Sequence, residues 1–247
     1  MINKDVPTWW VAGVDGCRGG WLVVLAAVAA GSGRLGGMTS RLCTTFAEVL
    51  ALPERPQSIA VDMPIGLLDR ALPGGRRCDR EARSMLGRPR ASSVFSPPAR
   101  MALAARSYRE VAALNGIGMS KEAFNIVPKI REVDALMDAG LQDTLVEAHP
   151  ELAFASLAGH PMRHSKRVPA GRRERLSLLR RVLGKACIDP VHARVAHGLS
   201  RVSLDDVLDA CVLAVVADRR RRGLARRLPE GEPPRDAKGL RMEIWCG

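Results

Sequence analysis

Two aspartates close apolar runs that read as strands. Asp15 ends the run Trp10 to Asp15, and Asp62 ends the run Ser58 to Asp62. A third acid, Glu147, lies in the run Thr144 to Ala148, and three more, Asp205, Asp206 and Asp209, open an apolar helix after Ser203. Carboxylates are hard oxygen donors, the ligands that Mg2+ and Mn2+ prefer. Two such ions about 4 Å apart activate water and stabilise the leaving oxygen in phosphodiester hydrolysis. That chemistry needs three or four acids converging from different elements. On a helix, Asp206 and Asp209 share a side at i and i+3, as do Asp205 and Asp209 at i and i+4. In sheets with parallel strands, ligand groups gather at the carboxyl ends of the strands, where Asp15 and Asp62 stand.

Taken singly, each acid has an ordinary structural explanation. Asp15 beside glycines and Asp62 before Met63-Pro64 both suit turns. Asp205 and Asp206 suit the positive end of a helix dipole without any ligand. Asp209 lies in the second turn, where the dipole no longer rewards an acid, and Glu147 is a usual surface partner for arginine. Their joint placement is what favours a site. Other chemistries find less support. The sequence has no Walker phosphate loop, no His-Glu-x-x-His helix and no Gly-x-Ser-x-Gly elbow. Ser92 and Ser93 have no histidine nearby in sequence, and His149 is a lone histidine after a strand.

The elements that must position these acids follow from periodicity and turn residues. The Gly16–Gly20 turn joins Trp10–Asp15 to the apolar run Trp21–Val28 as a hairpin. A turn from Gly31 to Gly37 leads to a third strand over Met38–Thr45, and a short helix spans Phe46–Leu52 before Pro53. Ser58–Asp62 is a buried strand that Pro64 stops. From Leu67 to about Gln142 the pattern is helical pieces broken by loops. A strand at Thr144–Ala148 follows, then a basic loop from Arg163 to Ala170 and a basic helix over Gly171–Gly184. The last strong element is a helix from Leu204 to about Arg222, with Ser203 as N-cap, Asp206 completing a capping box and Gly223 as the stop. Gly239 to Cys246 reads as a small added strand. Three antiparallel strands followed by parallel ones define a ribonuclease H-like α/β fold. The expected organisation is one domain over residues 1–247 with a mainly helical insertion at about 67–142.

Composition narrows the partners. The formal charge of +12 marks a polyanion as the more natural partner, although arginine supplies almost all of it. The basic clusters are Arg76 to Arg90, Arg163 to Arg175 and Arg219 to Arg227. Six cysteines without a Cys-x-x-Cys pair read as free thiols. The run Trp21 to Ala30 is about half the length needed to span a bilayer. Twenty residues that include Asp5 and Asp15 precede it, unlike the short basic leader of a signal peptide, so the expected location is the cytoplasm.

The segments Val11-Ala-Gly-Val-Asp-Gly-Cys-Arg-Gly-Gly-Trp21 and Ile59-Ala-Val-Asp-Met-Pro-Ile-Gly66 resemble a bacterial family called "domain of unknown function 429". So do Cys78-Asp-Arg-Glu-Ala-Arg83, Ser92-Ser-Val-Phe95, Ser120-Lys-Glu-Ala-Phe-Asn-Ile-Val-Pro-Lys-Ile-Arg-Glu-Val-Asp134, Glu147-Ala-His-Pro-Glu151 and Gly239-Leu-Arg-Met-Glu-Ile-Trp245. The resemblance covers nearly the whole chain. It implies predicted nucleases of ribonuclease H-like fold, with catalytic acids at Asp15, Asp62 and the pair Asp206/Asp209. Asp206-Val-Leu-Asp209-Ala210 is also similar to the Asp-x-x-Asp-Ala helix of bacterial Holliday-junction resolvases. There the second-position acid is a glutamate, one methylene longer than Asp62.

These observations lead to a metal-dependent nuclease, with Asp15, Asp62, Asp206 and Asp209 as metal ligands and Glu147 as a further catalytic acid. The cofactor is Mg2+ or Mn2+, the partner is nucleic acid, and Arg18, Lys121, Lys129 and Arg131 are candidate phosphate contacts. Two alternatives remain on the same core. A small-molecule phosphotransferase or nucleotide hydrolase would want a second Gly-rich phosphate loop, and the late Gly198 and Gly223 are isolated. A non-catalytic nucleic-acid or protein binder is compatible with the fold, though only 4% of residues are aromatic.

Overall fold

Glycines between two apolar runs let the chain reverse at once. In a computed structural model that describes residues 7–29 and 35–247, β1 (Pro7–Cys17) and β2 (Gly20–Ala29) form an antiparallel hairpin. Gly20 sits at φ 122°, and a Cβ there would stand 2.2 Å from the Cys43 carbonyl oxygen, so only glycine serves. The expected Gly31–Gly37 turn lies largely outside the described residues. The third strand, β3 (Leu35–Cys43), starts and ends earlier than its apolar pattern suggests, because it pairs along most of β2.

Helix α1 (Phe46–Leu50) is capped by the Thr45 hydroxyl, which accepts from the Glu48 N–H. The chain then returns as β4 (Ser58–Val61), parallel to β1 with Val14 opposite Val61. Pairing persists one residue further, where the Asp62 N–H donates to the Val14 carbonyl at 3.0 Å. The stretch expected to be helical holds α2 (Arg77–Leu86), α3 (Tyr108–Asn115), α4 (Lys121–Asn125) and α5 (Val127–Leu136), with 3-10 turns at Arg90–Ser93, Arg100–Ala104 and Leu141–Asp143. After it comes β5 (Leu145–Glu147), parallel to β4. The five strands run in the order β3-β2-β1-β4-β5, antiparallel through the first three and parallel through β1, β4 and β5. That is the ribonuclease H-like arrangement.

Two helices that periodicity does not announce come after β5: α6 (Pro150–Ala158) and α8 (Pro190–His197). Between them α7 (Pro169–Leu183) is the basic helix, starting two residues earlier than expected. The last helix, α9 (Leu204–Arg221), has the expected capping box. Ser203 Oγ accepts from the Asp206 N–H at 3.1 Å, and Asp206 Oδ2 accepts from the Ser203 N–H at 2.8 Å. The added C-terminal strand is shorter than its apolar run. β7 (Ile244–Cys246) pairs with β6 (Arg226–Leu228) in a separate two-stranded sheet, and Trp245 bridges to Ala148 beside β5. No helix among the described residues is long and apolar enough to cross a membrane.

Both faces of the main sheet are covered. One core packs Val11, Leu22, Val24, Ala60 and Val146 against α6, α7, α8 and α9; the other packs Ala12, Val14, Ile59, Val61 and Leu145 under α1 and α5. From Val207 to Asp218 every residue of α9 is buried, as expected of a helix that is apolar all round. Its approach to the sheet is set by Gly13, where a Cβ would stand 2.1 Å from the Ala210 carbonyl oxygen and 2.2 Å from the Ala214 nitrogen.

Candidate active site

Side-chain alternation decides which acids can meet. Along β1, Val11 and Gly13 face α9 while Ala12 and Val14 face the opposite core, so Asp15 belongs to the α9 face. Along β4, Ala60 faces α9, and Asp62, two residues on, follows it. From above, α9 lays Ala210 and Ala214 on Gly13, and Asp206 and Asp209 precede them on the same helical stripe. The structure therefore brings Asp15, Asp62, Asp206 and Asp209 into one electrostatic neighbourhood, in which the charges of Asp209, Asp62 and Asp206 all act on Asp15.

Glu147 goes elsewhere. It lies opposite Val61 rather than Asp62, with the parity of Leu145, so its side chain leaves by the other face. There Arg76 holds it by two bonds, 2.6 Å to Oε1 and 2.7 Å to Oε2, and the Ile65 N–H donates to Oε2 at 2.7 Å. Arg76 also pairs with Asp79 at 2.7 Å, which ties α2 to the end of β5.

The cation inside the acid cluster is Lys166, from the basic loop before α7. Its Nζ donates to Asp209 Oδ2 at 2.5 Å. Asp209 chiefly raises its pKa, and Asp15 and Asp62 add to the effect. A buried network presents the loop that carries it. Arg175, fully buried, donates to Glu151 Oε1 at 2.5 Å and to the His164 carbonyl at 3.1 Å. The absence of a side chain at Gly171, where a Cβ would stand 2.0 Å from the Ser165 carbonyl oxygen, lets α7 lie against that loop.

Burial and like charge push the acids up. Asp15 is raised well above the usual carboxylate range, first by burial and then by its three acidic neighbours, with Lys166 opposing. Burial pushes Asp209 up to about 6 in spite of its ammonium partner. Asp62 is raised by burial, against the pull of His149 and Lys166. Among the described residues no three His, Cys, Asp or Glu side chains gather closely enough to hold an ion. Mutually repelling carboxylates are held here by the Lys166 ammonium instead. The donor set nonetheless fits a hard divalent cation: it is all oxygen, and Asp209 Oδ1 is buried without a hydrogen-bond partner.

The candidate phosphate contacts divide. Lys129 of α5 reaches the rim of the cluster, its stem across Gly16 and its Nζ 2.6 Å from the Gly20 carbonyl and 4.3 Å from the centre of the Trp21 ring. Arg131 is taken up by the carbonyls of Leu103 and Ala105, at 2.5 and 2.7 Å. Lys121 is exposed at the start of α4, and Arg18 is exposed beside Asp206. Asp205 pairs with Arg172 at 2.9 Å. Lys166 joins the site without having been singled out, and so does His149, which the sequence offered as a proton-transfer group only against its plainer reading as a lone structural histidine. Their only signals were a basic loop and a histidine two residues after Glu147.

The family described as "Protein of unknown function (DUF429)" matches residues 13–233. No functionally curated protein matches the chain. Among solved structures the chain is similar to Thermus thermophilus RuvC, with 16% identity, 87% of this chain and 97% of that chain covered, and a TM-score of 0.35. It is similar also to T. thermophilus RuvC in complex with a Holliday junction substrate, at 17% identity, the same coverage and a TM-score of 0.34.

Proposed function

The chain belongs to the DUF429 family, and we propose that it is a divalent-metal-dependent hydrolase of phosphodiester bonds in nucleic acid. The single observation that carries this reading is that Asp62, Asp206 and Asp209 all act electrostatically on buried Asp15, at the carboxyl ends of β1 and β4 beside the first turns of α9. Those four residues would hold Mg2+ or Mn2+, and the chemistry such ions supply is water activation and stabilisation of the leaving oxygen. The remaining tasks fall to the chain itself. Lys166 places positive charge where an incoming phosphate would otherwise meet carboxylates alone. The Glu151–Arg175 pair fixes the loop that presents it. Burial of Asp15 and Asp209 keeps water from screening the site, so charge there acts more strongly than at the surface.

The test is hydrolysis of single-stranded, duplex and branched DNA and of RNA–DNA hybrid, with and without Mg2+ or Mn2+. The expected result is metal-dependent cleavage of at least one substrate that Asp15→Asn and Asp209→Asn each lower about a hundredfold or more. Cleavage of none of them, with a melting temperature indifferent to metal, overturns the reading.

A further inference from the structure

Two clefts that share no lining residue each hold one of the acids whose charge acts on Asp15. Asp206 lies in one, about 510 Å³ in volume, walled by Gly16, Cys17 and the 199–203 loop and carrying Arg18, Arg194 and Arg201. Asp62 lies in the other, about 620 Å³, between the 89–95 and 120–126 segments of the helical insertion and the 165–167 loop. Its cations are Arg90, Lys166 and Arg167, and His149 and Phe95 complete its wall. Two polar atoms of that wall, Arg90 Nε and His149 Nδ1, are buried without a hydrogen-bond partner. A buried polar atom left unmatched costs stability, which makes such a wall a place for a polar ligand.

From this arrangement we propose that the substrate is a single nucleic-acid strand that passes from one cleft to the other across Asp15. The proposal rests on the hydrolase reading and names its substrate class. Each cleft has the volume of a small-ligand pocket, about 300–1,000 Å³, which suits one or two nucleotides. A duplex carries its phosphates on the outside of a stiff rod and offers no part narrow enough to enter. A flexible strand can place successive phosphates on Arg18 and Arg201 at one end and on Arg90 and Arg167 at the other. Phe95, half-buried in the second cleft, supplies an aromatic surface for a base.

Binding is measured apart from cleavage, on the Asp15→Asn variant with Mg2+, by fluorescence anisotropy of labelled twelve-nucleotide strands and the matching duplex. Single strands are expected to bind about tenfold tighter than duplex, a difference of about 1.4 kcal/mol. Arg18→Gln and Arg167→Gln change exposed residues, one in each of the two clefts. Each is expected to weaken strand binding and to lower the slope of log K against log salt by about 0.7, the loss of one phosphate contact. Equal or tighter duplex binding, no binding of single strands, or an unchanged salt slope in both arginine variants overturns the proposal. If the wild type cuts nothing while the Asp15→Asn variant binds strands as described, the hydrolase reading falls and the strand path stands. If the wild type cuts duplex or hybrid faster than single strands, the strand path falls and the hydrolase reading stands.

Discussion

Asp15 is a buried carboxylate among three others, and its energetics differ from those of an acid kept for folding. No hydrogen bond to its side chain is found among the described residues, and the charges of Asp209, Asp62 and Asp206 all raise its pKa. Asp15→Asn is therefore expected to leave the metal-free protein as stable as before or about 1 kcal/mol more stable, while removing most of the stabilisation that Mg2+ gives in thermal melts. A clear loss of stability without metal would mark Asp15 as structural. The pH dependence has a definite sign. Asp209 titrates near 6 when folded against an ordinary value of 3.8, so the folded state keeps this proton longer than the unfolded state does. Its neutral form favours folding at low pH, and that contribution is lost as pH rises from about 4 through about 6. A divalent ion needs the ionised form, so the Mg2+-induced rise in melting temperature is expected to grow by a few degrees over the same window. A rise independent of pH would place the ion elsewhere. That Asp15 and Asp62 would stand at the same end of the sheet was legible because each closes an apolar strand run. Glu147 was misplaced because Leu145-Val146-Glu147 is short and apolar on both faces, so nothing in it fixes the register. Lys166 was hidden among Arg163 and Arg167, where one cation in a charged loop reads as solvated.

At the scale of elements, the contact that matters most is the one between β1 and α9. The helix lies directly on the strand backbone at Gly13, and this close approach is what sets Asp206 and Asp209 beside Asp15. A side chain at Gly13 would meet backbone atoms at 2.1 and 2.2 Å, which no rotamer change relieves. Gly13→Val is thus expected to destabilise by more than about 4 kcal/mol or to prevent folding, measured by urea unfolding. Unchanged stability would mean that α9 docks otherwise. The caps of α9 were readable because they depend on local chemistry: Ser203 and Asp206 bond as their spacing dictates, and Gly223 takes φ 69°. Helix α6 was not readable. Its sequence, PELAFASLA, is apolar on every side, so it carries no 3.6-residue rhythm, and its helicity comes from burial between α2, α7 and α9. Strand β6 was missed for a related reason, since Arg226–Leu228 forms a strand only because β7 returns from the far end of the chain to pair with it.

Across the whole molecule, much of the positive charge is structural. Arg76 and Arg175 are buried in ion pairs, Arg100 bridges Asp134 of α5 and Asp236 of the tail, and Arg241 bonds Glu243 and Gln142. Each of these arginines is matched by at least one acid, so the net charge of +12 rests on the other cations, among them the arginines of the two clefts. The internal pairs also join the parts that must cooperate. Segments between β4 and β5 wall one cleft, and Arg76 fastens the first helix among them, α2, to the sheet through Glu147. This gives opposite expectations for two acids that looked alike in sequence. Glu147→Gln leaves Arg76 with one carboxylate fewer in a buried site, and removing one partner of a buried pair costs about 3 kcal/mol or more. Urea unfolding is expected to show that loss, and hydrolysis per folded molecule is expected to stay within about threefold of wild type, because Glu147 leaves the sheet by the face opposite Asp15. Asp15→Asn should show the reverse, full stability with little hydrolysis. If Glu147→Gln proves fully stable yet inactive, the glutamate belongs to the chemistry after all. Arg76 would then be the group that positions it, and the catalytic cluster would extend through the sheet to its second face.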